Sequence, residues 1–588
     1  MKNIVFLFIL FLLFSCSDSK TKAERINDLY KKDLTILQKE VAQLQHLIQN
    51  DASQKQLQTQ FLIAHQSYKR VESMCEYYFP TVSKSINGPD LEEYEEDEGI
   101  TVPPAGLQVI EGYLFPGYDE STKKEVLEEM GILNANLYRL EMVSKTNDLT
   151  DSSVFDAMRL EVFRIITLGI TGFDSPIALN SLAEATTSLE TIEKQLAIYS
   201  ENSKNAVALK IINEGKEYLI RNSNFNKFDR AYFIIKYLNP LSKAIYKTQL
   251  DLKIPFYKES RGLKVTAQTL FDKNAFDAEA FSGFPDYKTT KEKIELGKLL
   301  FNDPVLSGNN SRSCASCHHA DKAFTDGLEK AISLDGMNMV KRNTPTLANI
   351  AFQRSFFYDS RVNYLEDQAV AVITNENEMH GSLEKSVSDL KKSKKYVANF
   401  DKAFPSKEIT AFSIKNVLAS YIRSLSNYDA RFDRYIRGEG KLDLDEIAGF
   451  NLFAGKAKCA TCHFIPLTNG TVPPNFDRSE SEVLGVPGKN KKIDIDFGKF
   501  DLTKAEVNRY SFKTPTIRNS VLTAPYMHNG VYKTLEEVVD FYNDGGGSGL
   551  GFNLPNQTLP TDKLNLTPLE KKQLIAFMKT LTDKKRVF

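Results

Sequence analysis

Tyr30, Leu34, Leu37, Val41, Leu44 and Ile48 recur at alternating four- and three-residue steps, which lines them along one face of an amphipathic helix. Segments of this kind continue to about residue 255, so residues 16–255 predict a helical domain. An acidic stretch, Asp90–Glu98, breaks the pattern and reads as a solvated loop. Before the helices, Lys2 leads into an apolar run from Ile4 to Phe14, too short to cross a bilayer as a mature helix. It reads as an export signal over residues 1–15. No later stretch is long and apolar enough to span a membrane. Residues 256–285 lack these patterns and read as a connector.

The remainder contains an internal repeat. Thr344-Pro345-Thr346-Leu347-Ala348-Asn349 returns as Thr514-Pro515-Thr516-Ile517-Arg518-Asn519, and Leu365-Glu366 returns as Leu535-Glu536. Both pairs are 170 residues apart (514 − 344 and 535 − 365). Each copy follows a C-x-x-C-H motif: Cys314-Ala315-Ser316-Cys317-His318 and Cys459-Ala460-Thr461-Cys462-His463. Two copies of one unit explain this register, and they predict domains over 286–445 and 446–588.

Composition sets limits. A chain of 588 residues exceeds a single core, since domains usually run ~100–200 residues. A formal net charge of −1 gives no electrostatic case for nucleic acid. Four of the six cysteines fall in the two motifs; Cys75 lies alone on an apolar face and reads as a small core residue.

The motifs carry the chemistry. Two thiols at this spacing add to haem vinyl groups, and the adjacent imidazole becomes an axial iron ligand. A zinc site or a redox dithiol are the alternatives, but neither needs a following His twice together with duplicated flanks. Two covalent c-type haems are therefore expected, with His318 and His463 as proximal ligands. The distal side decides what such a haem does. In the first unit Gln368 is followed ten residues later by Glu378; the 170-offset partners are Val538 and Ser548. Conversely Tyr542, a potential iron ligand, aligns with Val372. The two halves look specialised, the first with an acid–base group and the second with a closed iron.

Three resemblances add to this. Leu13-Phe14-Ser15-Cys16 resembles the lipobox of bacterial lipoproteins, implying cleavage before Cys16 and lipidation of its thiol. Gly106-Leu107-Gln108-Val109-Ile110-Glu111 resembles the Gly-x-His-x-x-Glu helix of imelysin-like proteins, helical bundles tied to iron uptake, but with Gln108 where that family has His. The third covers about residues 290–588. Leu299 to Gly308, Arg342-Asn343-Thr344-Pro345-Thr346, Tyr358-Asp359-Ser360-Arg361, Leu365-Glu366-Asp367-Gln368-Ala369 and Thr523-Ala524-Pro525-Tyr526-Met527-His528-Asn529-Gly530 together resemble the bacterial di-haem cytochrome c peroxidase and MauG family.

Taken with the helical pattern of residues 16–255, that resemblance implies a mainly α fold: a helical bundle followed by two cytochrome c-type haem domains. The first haem would be peroxidatic, with Gln368 and Glu378 in its distal pocket and Glu378 as acid–base catalyst. One calcium ion would take the Asn343 side chain and the carbonyls of Thr523 and Pro525. The inter-haem Trp of the family falls at Tyr358. The distal Met of its classical members falls at Tyr542, similar to the MauG type, with Met527 as a rival ligand. The loop His that blocks the first iron in classical peroxidases falls at Leu334, which implies a first haem open to peroxide without prior reduction. Met337 and Met339 lie in that loop.

The expected function is reduction of hydrogen peroxide to water with electrons from a small cytochrome c or copper protein. The setting would be the bacterial cell envelope, on a periplasm-facing lipoprotein held to the membrane only by its lipid. A MauG-like oxidase modifying a protein substrate, or an electron-transfer lipoprotein coupled to an iron-binding helical module, are the alternatives.

Overall fold

The computed structural model describes residues 20–95, 98–200, 204–283 and 285–583, and these are mainly α-helical. Residues 1–19, with the export signal and Cys16, lie outside that set. Among the described residues no helix is long and apolar enough to cross a membrane.

The opening stripe folds as its spacing predicts. Helix Lys22–Gln49 begins at a capping box in which Thr21 Oγ1 accepts from Glu24 N (3.1 Å) and Glu24 accepts from Thr21 N (2.6 Å), satisfying two otherwise orphaned amides. All six stripe residues are buried, against helix Gln54–Tyr78 and later helices. Cys75 is a buried core residue, as expected. The acidic stretch is only partly a loop. Glu93–Glu95 pairs antiparallel with Ile100–Val102, because Gly99 supplies the positive φ of the turn and Lys84 neutralises Glu93.

The helix Leu107–Leu114 is buried at its polar positions. Gln108 donates to Asn87 O (3.0 Å), and Glu111 accepts from Ser175 Oγ (2.9 Å) and Ala178 N (2.8 Å). His65 and Glu184 form a fully buried pair nearby, 3.1 Å apart. Lys69 and Arg164 are clamped by Glu72 and Asp174 in the same interior.

The helical region and the second motif's unit share one hydrophobic core; the first motif's unit has its own. Helix Arg431–Ile436, just before residue 446, packs with the shared core. Phe173 meets Phe464 edge-on with centroids 5.8 Å apart, and Lys458 Nζ donates to Pro176 O (3.4 Å). Gly455 is required at this seam, since a Cβ there would meet the Arg230 guanidinium at 2.5 Å.

The repeat is visible in backbone detail. Asn349 and Asn519 both adopt φ +62°, each opens a 3-10 turn (Ile350–Phe352 and Ser520–Leu522), and each side chain reaches Asp583. The isolated bridges Phe356–Val362 and Tyr526–Tyr532 are again 170 residues apart (526 − 356). A buried bidentate ion pair, Arg423–Glu366, fastens the first unit, and a second, Arg518–Asp433, ties the second unit to helix Arg431–Ile436.

Candidate functional site

Each C-x-x-C-H motif forms one 3-10 turn, Cys314–Ser316 and Cys459–Thr461. The chain cannot continue helically after the first, because His319 is extended and Ala323 takes φ +51°. The turn still folds the His back on the first Cys: His318 N donates to Cys314 O (3.0 Å) and His463 N to Cys459 O (2.9 Å).

Both imidazoles are aimed in one way. His318 Nδ1 lies 2.7 Å from Phe324 O, and His463 Nδ1 lies 3.1 Å from Pro515 O. A carbonyl only accepts, so Nδ1 carries the proton and Nε2 keeps its lone pair free for a metal. Burial favours the same neutral form, lowering His318 and pushing His463 down to about 4. Burial also pushes the thiols of Cys314 and Cys459 up to about 12. The second motif opens on a cavity of about 1280 Å³, lined by Cys459, Cys462, His463, Met527 and Tyr542. That exceeds the ~300–1,000 Å³ usual for small-ligand pockets. Half-buried thiols, an oriented neutral imidazole and this volume fit a covalent macrocycle.

The first unit brings Glu378 near its motif. Helix Leu365–Thr374 carries Gln368, partly exposed, and ends in the turn holding Glu378. Asn375 Nδ2 donates to Glu378 Oε1 (2.9 Å). Burial raises the Glu378 pKa above its usual range, and Arg361 and Arg312 oppose the shift. The charge of Glu378 is felt at Cys317, so the carboxyl is close to the motif. Arg312 ties the loops together, donating to Glu378 O (3.3 Å) and Ser333 O (3.1 Å), while Leu334 N donates to Asn377 O (2.8 Å). Leu334 thus packs against the Glu378 turn. Met337 and Met339 on the same loop are exposed, 84% and 63%.

The second unit has a phenol instead. Tyr542, on helix Leu535–Asn543, faces Cys462 and Cys459, and burial raises its pKa strongly. Met527, held at φ +71°, lines the same cavity. The neighbouring His528 is committed elsewhere: it stacks on Phe512 (3.8 Å) and faces Asp494 (3.4 Å).

Tyr358 joins the units. Its hydroxyl donates to Asn343 Oδ1 (3.3 Å), and its carbonyl accepts from Lys513 N (2.7 Å). Asn343, Thr523 and Pro525 line the same cavity wall. Among the described residues no group of three His, Cys, Asp or Glu side chains is placed to hold a metal ion. A cation here would rely on amide and carbonyl oxygens, which suits a hard ion.

Sequence reasoning did not single out Arg312, Asn375 or Lys513. Arg312 stands two residues before Cys314, and Asn375 three before Glu378; such proximity was the only available signal.

Residues 291–441 match a family model described as di-haem cytochrome c peroxidase, a stretch that includes the first motif and ends before the second. The chain is 36% identical over 294 residues to the methylamine utilization protein MauG of Methylorubrum extorquens, covering 50% of this chain and 78% of that protein. It is 32% identical over 310 residues to the cytochrome-c peroxidase IdrP2 of Denitromonas iodatirespirans, covering 50% and 82%. It is 32% identical over 295 residues to the cytochrome c551 peroxidase of Nitrosomonas europaea, covering 50% and 80%.

Proposed function

Because this chain belongs, through its C-terminal half, to the di-haem cytochrome c peroxidase and MauG family, we propose that it reduces hydrogen peroxide to water at the first of two unequal haem sites. The chain is an oxidoreductase of that family, a family that carries two c-type haems. In this reading residues 286–445 hold the peroxidatic haem through Cys314, Cys317 and His318. Residues 446–588 would hold the electron-transfer haem through Cys459, Cys462 and His463, with Tyr542 as a further ligand. A small cytochrome c or copper protein supplies electrons to the second haem, and Tyr358 lies on the path between them. Asn343, Thr523 and Pro525 hold a calcium ion. Residues 16–255 form a helical domain, joined by 256–285, and Cys16 carries the lipid of a periplasm-facing lipoprotein.

The observation that carries this reading is the asymmetry of the pair. The first unit has a carboxyl of raised pKa whose charge reaches Cys317; the second has instead a phenol, Tyr542, facing its two thiols at the counterpart of Val372. A haem bound there would supply the electrons for O–O cleavage. Glu378 does the proton work: ionised, it accepts the proton of one peroxide oxygen and returns it to the other, which departs as water; two electrons from the donor and two solvent protons carry the remaining oxygen to a second water. Asn375 holds Oε1, and the two arginines keep the anionic form accessible. Gln368, on the helix that precedes the Glu378 turn, supplies an amide to orient the peroxide. Leu334 leaves that position without an imidazole, which supports a site competent without reductive activation.

Tyr542 and Leu334 also favour a second reading, a MauG-like oxidase acting on a protein substrate. Rapid mixing of as-purified and pre-reduced holoprotein with hydrogen peroxide tests the first. Equal reactivity of the two preparations is expected; reaction confined to the pre-reduced form would overturn the open-site reading.

A further inference from the structure

The wall of the second cavity contains a buried cation that the protein itself does not neutralise. Lys513 ends strand Ser511–Lys513, which pairs with Ser481–Val483, and it stands two residues before Pro515, the residue that orients His463. It is 8% exposed and lines the cavity. Its Nζ donates to Gln353 Oε1, a neutral amide, and among the described residues no carboxylate pairs with it.

The other cations at this wall differ. Arg164 is paired with Asp174 and Glu72, and Lys84 with Glu93. Arg478 is exposed. Lys458 donates to Pro176 O and has Asp562 and Glu111 within electrostatic range. For Lys513 burial acts alone and lowers its pKa to about 8. A buried ammonium without an anion is costly, and such groups are normally paired. A wall that keeps one is complete only when the occupant of the cavity brings the negative charge.

We infer that Lys513 is the counter-ion for a carboxylate of the group held at His463, which for a haem is a propionate. This rests on the reading of Cys459, Cys462 and His463 as a haem site. Lys513 is a positioning residue in this role. It also tunes the second haem electrostatically, since a fixed positive charge disfavours the more positive ferric state and raises the potential. Its backbone amide is bonded to Tyr358 O, so the same strand joins the propionate contact to the residue between the haems.

The test uses holoprotein variants Lys513→Met, Lys513→Gln and Lys513→Arg. Covalent haem per chain is measured by mass, and the midpoint potential of each haem by spectroelectrochemical titration at pH 8. The expected result is a second-haem potential shifted to more negative values in the Met and Gln variants, restored in Arg, with the first haem unmoved. An unchanged second-haem potential in a Gln variant carrying both haems would overturn the inference. If Met and Gln fail to retain the second haem, an Arg variant that keeps it supports the charge role. An Arg variant that fails equally shows that shape alone matters and also overturns it. Fewer than two haems in the unmodified protein would instead sink the underlying haem reading.

Discussion

Glu378→Gln separates proton transfer from everything else the first site does. The amide keeps the shape of the side chain and an oxygen for the Asn375 donor at 2.9 Å, so folding and haem attachment should survive. What is lost is the base. Positioned acid–base catalysis contributes about 10²–10⁴-fold, equivalent to about 3–5 kcal/mol of barrier at ~1.36 kcal/mol per decade. Peroxide turnover with a reduced small donor should fall by that factor while covalent haem content stays at two per chain. The unmodified protein supplies a matching pH signature. The base works only when ionised, so activity is lost as pH falls through the folded-state pKa of Glu378, which burial sets above the ordinary 4.5. Arg361→Gln removes the larger of the two opposing charges, and the acid limb should move to higher pH. Unchanged turnover in Glu378→Gln, or an acid limb that survives in it, would refute the assignment.

Other outcomes follow from the same structure. Tyr542→Phe should convert the second haem from low-spin to high-spin with both haems still attached; an unaltered spectrum would pass the ligand role to Met527. Asp433→Ala leaves Arg518 buried without its bidentate partner, which should cost about 3–5 kcal/mol and lower the urea midpoint measurably. Elemental analysis should find one calcium per chain, lost in Asn343→Ala; calcium retained in that variant would remove Asn343 from the site.

The amphipathic stripe of the first helix and the tandem repeat were legible in the chain because both are periodic, and periodicity survives without coordinates. The 170-residue offset even anticipated the paired bridges Phe356–Val362 and Tyr526–Tyr532. The charge of the acidic stretch reads as loop throughout, but its Glu93–Glu95 part joins a two-stranded ribbon that depends on Gly99 and on Lys84 from another helix. The two C-x-x-C-H motifs are legible because each is local, within five positions. The groups that set the pKa of Glu378 were not. Arg312 lies 66 residues away in sequence and Arg361 on another loop, and burial joins them only in the fold. Lys513 was invisible for a related reason: a lysine next to Thr-Pro-Thr looks exposed until the strand buries it.

Two unequal haems, one at each motif, are read out by low-temperature paramagnetic resonance of the as-purified ferric protein, with covalent haem counted by mass. Two haems per chain are predicted, one high-spin and one low-spin in equal amounts, with the high-spin signal lost on adding hydrogen peroxide. Two low-spin signals that ignore peroxide would contradict the account.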